Sequence, residues 1–462
     1  MSTECNQFVF GFHPLNLKHR EIRAQFDGGA ITTGGGGLLL REVEKRIGIV
    51  RQFAACFRDY RDPDLTEHTV EELVAQRVYS LALGYEDLND HEELRKDSLL
   101  AVLVEKSNPG GELLAGKSTL NRLELTPETA NAKARYKKIV ADHAAVDRLF
   151  VDVFLAAHAQ APQQIVLDLD ATDDPLHGNQ EGRFFHGYYG HYCYLPLYIF
   201  CGEFLLAPRL RPSNIDASAG SVEELQRIVK QIREAWPQVR IVVRGDSGFC
   251  REQLMAWCEA EGVDYVLGLA KNERLKAKIK KELQKAERLY RETQCAARIF
   301  KEFYYKTRKS WSEQRRVIAK AEHLEKGANP RFVVTSLKAE QWPAQALYEE
   351  LYCVRGDMEN RIKEQLMLFA DRTSTAYLRS NQLRLYFSSV AYALLQMLRH
   401  LGLEGTELAK AQCVTIRLKL LKIGALVRIS VRKVWVSLAG GYPYVELFRQ
   451  VHEKLCGLPL KC

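Results

Sequence analysis

Three acidic residues stand where a folded chain usually places chemistry. Asp170 closes the apolar run "QQIVLDLDAT", Asp246 follows "QVRIVVRG", and Glu359 lies within "LYCVRGDMENRIKEQ". The first two runs are short and rich in Val, Ile and Leu, the signal of strands. Asp246 then projects from a strand's carboxyl end, where open α/β sheets hold their ligands. The third run is helical in pattern, and Tyr352, Arg355, Glu359 and Lys363 fall at i, i+3, i+7 and i+11, on one face. Mixed charge on a helix face more often means a solvated face. The strand-end acids tip the reading toward a site, because carboxylates from two strand ends and a helix suit a hard divalent cation, Mg²⁺ or Mn²⁺. Asp168 lies two residues before Asp170 and so on the same side of the strand. It is either an alternative first acid or a partner behind it, while Asp173 and Asp174 are assigned to the following turn. No His/Cys cluster with zinc spacing competes, since His177, His186 and His191 are scattered through a turn-rich stretch.

The tetrapeptide Val-Arg-Gly-Asp occurs twice, ending at Asp246 and at Asp357. The first copy ends a strand and the second sits inside a helical pattern, so they are not a repeat. Gly356 in a helix costs about 1 kcal/mol relative to Ala, which predicts a packing or close-approach reason for it. Asp357 is expected to point away from the Tyr352–Arg355–Glu359 face.

The elements that would position these residues follow in order. Residues 1–160 read as mostly helical after a flexible glycine run at 34–37, with one long helical pattern over 128–159. Neither that run nor "GKSTLNRLE" satisfies the phosphate-loop pattern. From 161 the pattern becomes strand ("QQIVLDLDAT"), strand ("HYCYLPLYIF"), strand ("EFLLAPRL"), helix ("SVEELQRIVKQIREAW", capped by Ser221), strand, helix, strand. Three antiparallel strands followed by two crossover units is the ribonuclease-H-like order. Then come a basic helix, three alternating strand runs and two long helices. The tail "VTIRLKLLKIGALVRISVRKVWVSL" suggests a hairpin around Gly424, with a helix as the alternative, and Trp435 in the core.

The chain of 462 residues carries a net charge of +8. Its distribution says more than its sum. Residues 271–326 hold 18 Lys/Arg against 8 Asp/Glu, and residues 408–445 hold 7 Lys/Arg and no acid. Two concentrated basic segments are the footprint of a polyanion binder. There is no window of membrane-span hydropathy and no export-signal pattern. The eleven cysteines form no CxxC pair and are expected to be reduced thiols in a cytoplasmic setting. An adhesion role for Arg-Gly-Asp does not fit that setting.

With these residues in view, the chain resembles the DDE transposases of bacterial insertion sequences, in the cut-and-paste group with a Tyr-x2-Arg-x3-Glu signature that is distantly similar to piggyBac transposases. The signature matches Tyr352, Arg355 and Glu359; "DLDAT" supplies the first acid, Asp170, and "RGDSGF" the second, Asp246. The match by motif order covers roughly residues 160–400. One departure is Leu366, where the family has a lysine; the nearest lysine is Lys363.

The resemblance implies an α/β fold with a ribonuclease-H-like core interrupted by a β-rich insertion. Its expected parts are a helical DNA-binding or assembly domain (1–160), the first part of the core (161–274), the basic insertion (275–337), the second part of the core with the glutamate helix (338–400) and a basic C-terminal region (401–462). It implies that Asp170, Asp246 and Glu359 hold two Mg²⁺ or Mn²⁺ ions. Tyr352, Arg355 and Lys363 would contact DNA, and Trp311, or Tyr304 and Tyr305, would either stack an unpaired base or simply pack the insertion. The expected partners are terminal inverted repeats, target DNA and a second copy of the chain in a synaptic dimer. Competing readings are a metal-dependent nuclease or resolvase without strand transfer, an inactive DNA-binding derivative, and a two-carboxylate sugar hydrolase, the last disfavoured by the basic segments.

Overall fold

The computed structural model describes residues 9–12 and 22–459. By internal contacts the chain forms two units, one from residues 1–140 with 390–462 and one from 141–389. Among the described residues no helix is long and apolar enough to cross a membrane.

The second unit is organised by a nine-stranded mixed sheet. Its principal strands are β1 (Gln164–Ala171), β2 (Leu197–Cys201), β3 (Phe204–Arg209), β4 (Arg240–Gly245), β5 (Asp264–Leu269), β6 (Ala297–Tyr305), β7 (Arg315–Leu324) and β8 (Arg331–Thr335). They lie in the order β3-β2-β1-β4-β5-β8-β7-β6, with a short strand Gly327–Ala328 beside β7. Only β1/β4 and β4/β5 are parallel pairs; β2 and β3 form the hairpin read from the sequence. The strands of the basic stretch therefore continue the same sheet through β8.

Period-2 alternation decides what each face carries. On β1, Ile165, Leu167 and Leu169 enter one core cluster, and on β4, Ile241 and Val243 do the same. That face is covered by α1 (His143–Ala156), α2 (Ser221–Ala235) and α3 (Glu252–Ala260), which contribute Phe154, Leu225, Ile228, Ile232, Leu254 and Met255. The opposite face carries Val166 and Val242 against a second cluster containing Leu347, Tyr348 and Leu351. Asp168 and Asp170 on β1, and Arg244 on β4, belong to this second face by alternation.

Local details differ from the sequence reading for identifiable reasons. The helix α2 is entered through Gly220 at φ 76°, and Ser221 is its first residue rather than its cap; the Ser221 hydroxyl donates to the Ser218 carbonyl at 2.6 Å. Pro196 divides "HYCYLPLYIF" into His191–Tyr194 and Leu197–Cys201. The basic helix breaks at fully buried Ile279 into Glu273–Lys278 and α4 (Lys280–Thr293). The glutamate segment is not uniformly helical. It passes through a π turn at Leu347–Tyr352 and a 3₁₀ turn at Cys353–Arg355 before α5 (Gly356–Met367).

The long helical pattern over 128–159, which runs across the boundary between the two units at 140, becomes turns, a short strand and then α1, which Asp142 caps through the Ala145 amide at 3.1 Å. Residues 34–37 are packed rather than flexible. A Cβ on Gly36 would lie 2.0 Å from the Leu420 carbonyl oxygen. The basic tail is helical up to Leu421 and only then forms the hairpin Ala425–Ile429 and Val434–Leu438. Gly424 precedes this hairpin, and Trp435 on it is 59% exposed rather than core.

Candidate functional site

Parallel register brings the two strand-end acids together. Gly245 on β4 pairs with Leu169 on β1, so the next residue on each strand is Asp246 and Asp170. Glu359 stands in the first turn of α5. All three line one cavity of about 680 Å³, together with Arg355, Lys363, Ser247, Gly248, Phe249, Ile362 and Leu366. The cavity is of the size usual for small-molecule sites.

The carboxylates are held by specific partners. Arg355 bridges two of them, with Nη1 at 3.1 Å from Asp170 Oδ2 and Nη2 at 3.4 Å from Glu359 Oε1. The Asp170 Oδ1 accepts from the Ala171 amide at 2.9 Å. The Asp246 Oδ1 accepts from the Gly248 amide at 2.8 Å. Gly248 is needed there, because a Cβ would sit 2.9 Å from that same oxygen. Burial pushes the Asp170 carboxyl up to about 6; the Arg355 charge opposes the rise and the Asp246 charge adds to it. Burial works against the Arg355 charge, but the carboxylates around it outweigh burial and hold its pKa above the ordinary value.

Asp168 is not on the cavity wall. It is buried and paired with Arg244, its neighbour across the β1–β4 register, at 2.5 Å (Nε–Oδ1) and 2.7 Å (Nη2–Oδ2). Arg244 also donates to the Leu351 carbonyl, so the pair ties both strands to the turn that leads into α5. Of the two neighbouring acids, Asp173 meets His191 Nε2 at 2.7 Å and Asp174 accepts from the Thr373 hydroxyl at 3.0 Å.

Two expected contact residues stand elsewhere. Tyr352 does not line the cavity. Its hydroxyl sits over β5, where a Cβ on Gly268 would meet it at 2.6 Å and the Ser247 amide nitrogen at 2.9 Å. It stays close to the acids all the same, within reach of the charges of Arg355 and Asp246. Trp311 is 5% exposed and packed edge-to-face on Tyr305 at 5.8 Å, in the core. It has no free ring face to offer a base. One of the two cations that made it look like a surface residue is itself committed: Arg315 is buried against Glu252 at 2.6 Å and Glu259 at 2.7 Å, while Lys309 is exposed. Tyr305 is buried as well, whereas Tyr304 is exposed.

The structure adds three cavity residues that sequence reasoning missed: His186, Tyr188 and Tyr189. The signal was present in "FFHGYYGHYCY", six aromatic rings and two histidines in eleven residues. Leu366 also lines the cavity, so the position of the family lysine is apolar here, with Lys363 a turn earlier on the same wall.

Among the described residues no three His, Cys, Asp or Glu side chains converge closely enough to hold a metal ion. The donor chemistry nevertheless suits one. Asp170, Asp246 and Glu359 offer only hard oxygens, and the cation now balancing two of them is the Arg355 guanidinium.

Among solved structures, the chain resembles the cryo-EM structure of a piggyBac transposase synaptic complex with hairpin DNA, at 11% identity and a TM-score of 0.40, over 83% of this chain and 80% of that one. No curated protein matches. The family model for the transposase DDE domain, group 1, matches residues 15–460, and the chain belongs to that family of transposases.

Proposed function

We propose that this transposase binds the ends of an insertion sequence, cuts them by divalent-metal-dependent attack on phosphodiesters, and joins the freed 3′-hydroxyls to target DNA. The observation that carries the reading is the meeting of Asp170, Asp246 and Glu359 on one cavity wall with Arg355 and Lys363. Members of this family generally use divalent metal ions. Asp170, Asp246 and Glu359 would hold Mg²⁺ or Mn²⁺, as a pair of ions, and such ions supply charge stabilisation to the attacking and leaving oxygens of an in-line displacement.

The chain's own residues do the rest. The Gly248 amide fixes the Asp246 carboxylate before substrate arrives. Arg355 carries a planar fork that exchanges a carboxylate for phosphate oxygens without changing geometry. Lys363 adds a point charge on the same wall. Phe249, Ile362 and Leu366 keep part of that wall dry, which strengthens each charge–charge contact inside. The Asp168–Arg244 pair acts through position, holding β1, β4 and the approach to α5 in register.

On the same reading, residues 161–274 and 338–400 form a ribonuclease-H-like core, 275–337 is its basic insertion, and 1–160 with 401–462 serve DNA binding and assembly. The working form is a homodimer on two DNA ends, in the cytoplasm.

The test mixes the protein with DNA flanking its own gene and Mg²⁺ and maps the cut ends. Asp246→Asn retains DNA binding and loses cleavage; wild-type-like cleavage by that variant sinks the assignment. Cut ends that never become joined to a second duplex mark a nuclease of the same fold instead.

A further inference from the structure

Asp246 opens a short loop, residues 246–251, that folds back through the Phe249 amide, which donates to the Asp246 carbonyl at 3.2 Å. This loop leans on a second turn, residues 216–219, at the entry to α2. Two contacts join them. On the cavity side, a Cβ on Gly248, the glycine whose amide holds the Asp246 carboxylate, would lie 3.4 Å from the Ala217 Cβ. On the solvent side, the Arg251 guanidinium donates to Asp216 Oδ2 at 2.8 Å and to the Ser247 carbonyl at 3.3 Å. Asp216 in turn accepts from the Ser218 amide at 3.0 Å and hydroxyl at 2.7 Å. Whatever sets the 216–219 turn therefore sets the backing of Asp246.

From inside, one side chain holds that turn. Arg211 is 6% exposed. Its Nε donates to the Leu195 carbonyl at 2.9 Å, and its Nη1 donates to the carbonyls of Ala217 at 3.1 Å and Ala219 at 2.5 Å. The Leu195 amide donates back to the Arg211 carbonyl at 2.9 Å. Leu195 and Ala217 both line the cavity of the three acids, so the guanidinium lies directly behind its wall. Two features separate Arg211 from the buried Arg244. Its acceptors are neutral backbone carbonyls rather than a carboxylate, and its Nη2 is buried with no partner among the described residues. Burial pushes its guanidinium down to about 10, against the pull of Asp216 and Glu224. A buried unpaired donor costs about 1–3 kcal/mol. Such a group is a poor stabiliser and a good spacer, because its rigid fork fixes carbonyls from two segments at once.

We infer that Arg211 is a positioning residue for the second acid: it holds the 216–219 turn against Gly248 and so aims the Asp246 carboxylate at the divalent cation. This rests on the reading of the cavity as a metal-dependent DNA-cleaving site. It goes beyond that reading by naming a residue outside the cavity on which the cation's affinity depends. Groups that orient a metal-ligating carboxylate carry about a 10- to 100-fold share of metal affinity or activity.

The experiment uses the full chain and takes three readings: Mn²⁺ uptake by electron paramagnetic resonance, metal-free binding of the gene-flanking duplex, and Mg²⁺-dependent cutting. Arg211→Met lowers Mn²⁺ affinity and kcat for cutting about 10- to 100-fold, and leaves metal-free duplex binding within about twofold. Arg211→Lys, which keeps the charge but cannot span both segments, behaves like Arg211→Met. Asp216→Asn, on the surface, loosens the outer clasp and lowers Mn²⁺ affinity about two- to fivefold. Because both residues act through one turn, the double variant Arg211→Met/Asp216→Asn is no weaker than Arg211→Met alone. Wild-type Mn²⁺ affinity in Arg211→Met overturns the inference and leaves the cleavage reading intact. Losses that multiply in the double variant, or full rescue by Arg211→Lys, overturn it as well. If Arg211→Met does not fold, Asp216→Asn decides, and unchanged Mn²⁺ affinity there overturns the inference. Wild-type protein that takes up no Mn²⁺ and cuts nothing overturns the cleavage reading, and the inference with it.

Discussion

The two Val-Arg-Gly-Asp segments share four letters and almost nothing else. In the first, Arg244 is buried, bidentate to Asp168, and Gly245 lies on a crowded sheet where a Cβ would be 3.1 Å from the Phe249 Cβ. Its aspartate, Asp246, faces the cavity. In the second, Val354 is 44% exposed, Arg355 is the residue that reaches the cavity, and Asp357 is exposed off its wall. Gly356 is helical at φ −55°, and a Cβ there would meet nothing within 4 Å among the described residues. The packing reason expected for that glycine is not present. A strand end thus turns the tetrapeptide into a scaffold arginine and a working acid, while a helix start turns it into a working arginine and a bystander acid.

The largest test of this contrast is stability. Arg244→Met leaves Asp168 charged, buried and unpaired, and is expected to cost about 3–5 kcal/mol in denaturant unfolding. Arg355→Met, whose carboxylate partners keep access to the cavity, costs under about 1.5 kcal/mol. Removing both members of the buried pair, in Arg244→Met/Asp168→Leu, recovers much of the loss. Equal losses for the two single arginine variants break the comparison. Next comes activity. Asp246→Asn lowers cleavage by about 100-fold or more, whereas Asp357→Asn stays within about twofold. A large defect in Asp357→Asn means that the second aspartate has been misjudged. The glycines follow. Gly245→Ala forces Phe249 to shift and costs about 1–3 kcal/mol. Gly356→Ala, the smallest effect, gains about 0.5–1 kcal/mol, and a lower melting temperature for it points to an unseen neighbour at that turn.

What the sequence disclosed follows from what is local. Alternation along β1 and β4 fixes which side their acids take, so Asp170 and Asp246 were readable as strand-end acids, while the β1–β4 pairing that makes them neighbours is seen only in the structure. The strand–helix order over 161–274 was readable for the same reason. Non-local pairing was not readable. Trp311 looked like a surface ring because Lys309 and Arg315 flank it, yet the glutamates that hold Arg315 lie far back along the chain on α3. The π turn before the glutamate helix was not readable either, since it carries no residue signature comparable to a glycine or proline. The aromatic hairpin at 184–192 was passed over for a different reason. Its histidines lack metal-ligand spacing, and its rings, which are the feature that reaches the cavity, follow no fixed spacing.

The packed glycines of the first unit bear on how the protein is made. Gly35 and Gly36 donate backbone hydrogen bonds to Ile423 and Leu421 at 2.8 and 3.1 Å, and Arg417 donates to the carbonyls of Leu81 and Ala82. The ribosome therefore finishes one wall of this unit nearly 400 residues before the other. At ordinary elongation rates that is a wait of roughly 20–80 s, during which the entire 141–389 unit emerges and folds. Through that interval the helix Val70–Leu83 lacks the residues that later bond to its end, so loss of residues 413–438 is expected to destabilise the unit formed by 1–140 with 390–462.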